Sequence, residues 1–182
     1  MLAAVVLLLL PSGGGIIVQT PEALKGQYFH HHLSTIGKQP GNSDLKVSGK
    51  LVYTTPTSAC TAISNPSSVE GNIAIVLRGS CNFETKAFNV KEAGAIALII
   101  RNTSDKSLIA KPETITAEKS LRYPSIGIPV FSISSTDGLI IAGYMDVSIE
   151  VTIAASFSEY QAIAEQTFPA DAGDDGYESA II

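Results

Sequence analysis

Residues 71–102 read GNIAIVLRGSCNFETKAFNVKEAGAIALIIRN and leave this chain few folds to choose from. The stretch opens and closes on short apolar runs, residues 72–77 (NIAIVL) and 95–100 (AIALII). Neither run alternates polar with apolar. That predicts strands buried on both faces, as parallel strands are. Between them Phe83, Ala87, Val90 and Ala93 or Gly94 recur at helical spacing, with Glu84, Lys86, Lys91 and Glu92 expected mostly on the other face. Glu84 stands where the positive end of a helix favours a carboxylate, and Gly94 where a helix exit needs a residue that accepts positive φ. The segment is therefore predicted to be strand, sharp loop, helix, strand. Such a βαβ unit crosses over with a right hand.

The flanks add strands of a different character. Residues 16–18 and 49–53 are strand candidates, separated by a loop over 37–44. Residues 126–133 form a third, in which Pro129 implies an edge position or a bulge. Ser134 to Asp137 offer capping chemistry for a short helix through Ile141. Val147, Ile149, Val151 and Ile153 alternate with polar residues, which predicts a half-exposed antiparallel strand. Residues 105–125 are polar and read as an irregular excursion.

Chemistry is more easily excluded than assigned. A chain of 182 residues, 45% hydrophobic and 16% charged, has material for one real core. Its net charge of -5, with no basic stripe, argues against a nucleic-acid partner. The sequence holds no G-x-S-x-G, G-x-G-x-x-G, P-loop or H-E-x-x-H pattern, so hydrolase, dinucleotide, nucleotide and zinc-protease signatures are missing. His30, His31 and His32 are the only histidines. On a strand, neighbours point to opposite faces, so they do not converge on one metal. No metal and no cofactor are expected. Asp171, Asp174 and Asp175 lack the spacing of a calcium loop. From Pro169 the chain reads as an acidic solvated tail, preceded by a short helix within 158–166. Residues 1–10 (MLAAVVLLLL) are too few to span a bilayer. Residues 1–15 are expected to be a secretory signal peptide, although no basic residue precedes the apolar run. Cys60 and Cys81 are the only cysteines. They are either unrelated thiols or a disulfide worth roughly 3 kcal/mol by its loop length. A free Cys81, before a helix start and beside Arg78, would have a lowered pKa. A small hydrolase or thiol enzyme would need that free thiol in a cleft with a histidine nearby.

A family resemblance enters at these residues. Val69, Gly71, Ile73, Ala74, Val76, Arg78, Gly79, Cys81, Phe83 and Lys86 are followed by Asn89, Ala93, Gly94, Ala95, Ile99, Ile100 and Asn102. Together with Cys60 upstream and Ile128, Pro129, Val130, Phe131, Ile133 and Gly138 downstream, this pattern resembles the protease-associated (PA) domain. The resemblance implies a mixed α/β (α+β) architecture of the swivelling β/β/α kind, spanning 16–157, with 158–182 as helix and tail. It implies that Cys60 and Cys81 pair, and hence an oxidising compartment, secreted or in the endomembrane lumen. PA domains accompany proteases and sorting receptors without being catalytic. The resemblance therefore implies a peptide- or protein-binding module, with no membrane span and a protease among its candidate partners. The alternative is a regulatory docking partner, or a fragment of a larger secreted protease or sorting receptor. In sorting-receptor relatives the loop equivalent to Arg78, Gly79, Ser80 and Asn82 is implicated in reading cargo. Here Arg78 supplies a planar cation and Gly79 permits close backbone approach. Both would equally serve as a loop-pinning arginine and a turn glycine. Asn102 begins the only usable N-x-S/T sequon and is the candidate glycosylation site.

Overall fold

The expected βαβ unit is present, and a seven-stranded sheet closes around it. The computed structural model describes residues 15–40, 44–106, 108–110 and 126–155. The expected leader up to residue 14, most of the excursion, and the helix and acidic tail beyond 155 lie outside the described residues. In chain order the elements are β1 (Gly15–Thr20), a 3-10 turn (Glu22–Leu24), β2 (Tyr28–Gly37), β3 (Leu45–Tyr53), α1 (Pro66–Val69), β4 (Ile73–Leu77), α2 (Phe83–Glu92), β5 (Ala97–Arg101), β6 (Pro129–Ile133), α3 (Ser135–Ala142) and β7 (Glu150–Ala155).

The sheet runs β1-β2-β6-β5-β4-β3-β7 and returns to β1 as a closed barrel. β3, β4, β5 and β6 are mutually parallel neighbours, and the remaining pairings are antiparallel. The fold is thus the expected mixed α/β class. β4 shows why its run does not alternate in polarity. Ile73 and Ile75 point into the barrel with Ile99, Phe131 and Ile153. Ala74 and Val76 point outward, under Ala87 and Val90 of α2. Both faces are covered, so both must be apolar; each large aliphatic side chain so buried contributes about 1.5–3 kcal/mol.

Three details depart from the sequence reading. β5 starts at Ala97 rather than Ala95: Ala95 N–H donates to Val90 O at the helix exit, and Ile96 N–H donates to Asn72 O, just ahead of β4. Pro129 does not mark an edge: β6 lies between β2 and β5. It opens its strand opposite Gly37, where the register with β2 shifts, so the bulge alternative holds and the missing N–H is absorbed there. Val147 is not in the last strand. Its N–H closes a turn on Tyr144 O and its side chain is 45% exposed. β7 begins at Glu150 and then alternates as expected, Val151, Ile153 and Ala155 inward.

The histidines do point to opposite faces. His31 is buried, its ring 4.8 Å from that of Phe131, with Nε2 donating to Ala154 O at 2.8 Å. His30 and His32 lie on the other face with ring centres 5.0 Å apart.

Candidate functional site

β4, β5 and β6 all end at one rim of the barrel, so the turns that follow Leu77, Arg101 and Ile133 form a common crest. Parallel strands present their carboxyl ends together, and this is where α/β sheets usually accommodate ligands. The candidate residues Arg78, Gly79, Ser80 and Asn82 make up the first turn. Gly79 has φ +102° and Ser80 φ +70°. Left-handed backbone is natural for glycine and unusual for serine, so the turn is held by its surroundings. Asn82 is the N-cap of α2: its Oδ1 accepts from Thr85 N–H at 2.9 Å. Arg78, Gly79 and Ser80 are exposed.

The second turn braces the first. Arg78 Nη1 donates to Asn102 Oδ1 at 2.9 Å. The same oxygen accepts from Thr103 N–H at 2.8 Å, while Asn102 Nδ2 donates to Lys106 O at 2.8 Å. Asn102 is 3% exposed. The sequon residue is therefore an internal clamp between two turns in this fold. The third turn is bound to the second through Asp105, whose carboxylate accepts from Thr136 N–H at 2.7 Å and Thr136 Oγ1 at 2.8 Å. These bonds hold the Asp105 carboxyl below the usual carboxylate range. Ser134 caps α3 by accepting from Asp137 N–H at 3.0 Å. Gly138 lies where Arg101 crosses α3: a Cβ there would come 2.4 Å from Arg101 Cγ and Cδ, and the arginine side chain would have to shift. Beside this bracing lies a cleft of about 260 Å³, lined in part by His30, His32, Asp105, Lys106, Leu108 and Asp137.

On the other side the crest is tied to the loop after β3. Cys60 and Cys81 form a disulfide with Cα atoms 5.7 Å apart. The enzyme alternative, which needs a free Cys81, thus lacks its thiol. Two side chains of α2 hold the same loop. Lys86 Nζ donates to Ser58 O at 2.5 Å, and Asn89 Nδ2 donates to Ala59 O at 2.9 Å. Lys86 is wholly buried, contrary to its expected placement on the polar face. Burial pushes its ammonium below its ordinary pKa. Its position between Phe83 and Val90 on the apolar stripe was the available signal. Asn89 and Asn102 belong to the family pattern, but nothing in the sequence pointed to their partners, because a polar side chain's partner across the fold has no periodicity.

The family model for the PA domain matches residues 47–141, more than half of the chain. This chain belongs to the PA domain family. Human ER degradation-enhancing alpha-mannosidase-like protein 3 is 33% identical over 94 residues, which is 51% of this chain and 10% of that protein. An aminopeptidase of Pseudomonas aeruginosa (strain UCBPP-PA14) is 32% identical over 99 residues, 54% of this chain and 18% of the enzyme. A PRADC1-like protein of Drosophila melanogaster is 40% identical over 57 residues, 31% of this chain and 29% of that protein. The chain thus matches a minor part of each relative. Among solved structures, the aminopeptidase from Aneurinibacillus sp. strain AM-1 has a TM-score of 0.55 at 21% identity, covering 80% of this chain and 31% of that one. A zinc aminopeptidase from Bacillus subtilis gives 0.51 at 20% identity, with coverage of 80% and 31%. These structures share the fold of this PA domain.

No catalytic domain is evident in the matched region. Among the described residues, no group of three or more His, Cys, Asp or Glu could hold a metal ion. No helix among them is long and apolar enough to cross a membrane.

Proposed function

We propose that this PA domain is a non-catalytic module that binds a peptide or protein segment, with Arg78, Gly79, Ser80 and Asn82 as its contact surface. PA domains generally bind proteins, and the closed barrel with its exposed, braced crest carries this assignment. Every strand has a neighbour on each side in the closed barrel, which disfavours addition of a peptide as an extra strand. It meets the crest instead. Arg78 gives one N–H to Asn102, and the rest of its fork has no partner among the described residues. That leaves a planar cation for a carboxylate or carbonyl of the ligand. The cleft beside the 102–106 turn gives a neighbouring side chain of the ligand somewhere to go. The setting is secreted or endomembrane-lumenal, in keeping with the disulfide and with "ER" in the name of the human relative. In this scheme a leader ends ahead of β1, which already takes in Gly15, the module runs on to 157, and 158–182 are appended to it.

The test is binding of purified protein to a peptide array, repeated with Arg78→Ala. Selective binding that falls at least about tenfold in the variant, equal to about 1.4 kcal/mol, supports the crest as the site. Selective binding unaffected by the substitution places the site elsewhere. Docking onto a separate protease is the second reading, and exposed Leu139 (57%) and Val147 (45%) favour it. It predicts that Leu139→Asp abolishes protease association while leaving peptide binding intact.

A further inference from the structure

Lys86 is the group in this fold whose placement its structural duty explains least. It is fully buried on the apolar side of α2, and no carboxylate lies within ion-pair distance among the described residues. Pinning one carbonyl, Ser58 O, needs no charge. Burying an ammonium without a counter-ion is costly, and its depressed pKa reflects that cost. Among the described residues, the one other polar atom within its reach is Cys60 Sγ, at 3.6 Å. In the disulfide that sulfur is neutral. As a thiolate it would be the missing counter-ion.

The second sulfur has a different setting. Cys81 directly precedes Asn82, the N-cap of the ten-residue helix α2, and follows the exposed residues Gly79 and Ser80. It belongs to the crest, whereas Cys60 is tied to the loop under it. Both cysteines are partly exposed.

We propose that Cys60–Cys81 is a thiol-exchange site, at which an incoming small thiol attacks Cys81 Sγ and Cys60 departs as a thiolate received by Lys86. In the first step the thiolate forms a bond to Cys81 Sγ and the S–S bond breaks. Its electron pair goes to Cys60 Sγ, beside the Lys86 ammonium. The products are a mixed disulfide on Cys81 and one protein thiolate, with no net oxidation. A second thiol then attacks the external sulfur of the mixed disulfide and releases the Cys81 thiolate. Over both steps two thiols are oxidised to one disulfide and the protein is reduced by two electrons. Exchange is faster when the leaving thiol is more acidic, and a neighbouring cation lowers a thiol's pKa. Reduction removes the covalent tie between the crest and the loop after β3, leaving the Lys86 and Asn89 hydrogen bonds to hold it, so it acts on the surface assigned above to ligands. The exchange chemistry stands whether or not that surface binds a peptide.

The experiment treats the folded, oxidised protein with excess reduced glutathione, quenches in acid and maps the adducts by mass spectrometry. The expected trapped species carries glutathione on Cys81 and a free thiol at Cys60. Lys86→Met keeps the volume but removes the charge, and should slow the first exchange by at least about tenfold. Lys86→Arg should restore most of the rate. In urea, where the neighbours are dispersed, all three proteins should react alike. Glutathione on Cys60 overturns the assignment. So does a Lys86→Met protein that exchanges within about threefold of the wild type, or faster. A loosened fold would speed exchange, so slowing in the Met variant cannot come from loss of structure.

Discussion

Replacing Asn102 with alanine should show whether the crest is one braced unit or three independent turns. The side chain makes three contacts at 2.8–2.9 Å, with Arg78, Thr103 and Lys106, at a residue 3% exposed. A net hydrogen bond is worth about 0.5–1.5 kcal/mol, and a buried group left without a partner costs about 1–3 kcal/mol. Arg78, Thr103 and Lys106 are all exposed residues whose freed groups can rehydrate, so the loss is that of three net hydrogen bonds, about 2–4 kcal/mol. In a chain of this size that lowers the Tm by roughly 5–15 °C. The assay is urea unfolding followed by circular dichroism, on protein made without glycosylation. Asn102→Asp retains the acceptor for Arg78 and Thr103 but sets a carboxylate against Lys106 O, so an intermediate loss is expected. A cycle with Arg78→Ala should give a coupling of about 0.5–1 kcal/mol. Loss below about 0.5 kcal/mol for Asn102→Ala, with additive behaviour in the cycle, refutes the clamp. The same residue is the candidate glycan site. Where secretory expression yields protein with a sugar on Nδ2, found by mass before and after glycosidase, its stability should fall toward that of Asn102→Ala.

Two further perturbations probe the bracing. Replacing both Cys60 and Cys81 with serine opens a loop of sequence separation 21; the unfolding free energy should drop by about 3 kcal/mol, and a change below about 1 kcal/mol would show that Lys86 and Asn89 hold the loop unaided. Asp105 has its folded pKa below the ordinary 3.8. Its contribution is therefore complete above 3.8 and is lost as pH falls through the lower folded value. Asp105→Asn should flatten the acid limb of the stability–pH curve in that window, and an unchanged limb would mean that the contact with Thr136 does not persist in solution.

The sequence determined the local elements wherever a repeating pattern recorded their surroundings. Residues 73–76 and 97–100 had to be apolar on both faces because one face fills the barrel and the other lies in the outer cluster with α2. Ser134 and Gly94 marked helix ends because capping is satisfied within a few residues. The alternation from Val151 was legible for the same reason, while Val147 continued the pattern by composition only and went into a turn. Patterning along a chain records which face is buried, but not what lies opposite. Closure of the seven strands, the place of β6 in the sheet interior, and the joining of Arg78 to Asn102 and of Lys86 to Ser58 are set by contacts between distant segments. Asn102 looked like a surface sequon and Lys86 like a solvated charge, because one residue's type cannot show the partner that folding brings to it. Only the tertiary structure decided that both are internal, since each is held by a group more than 20 residues away.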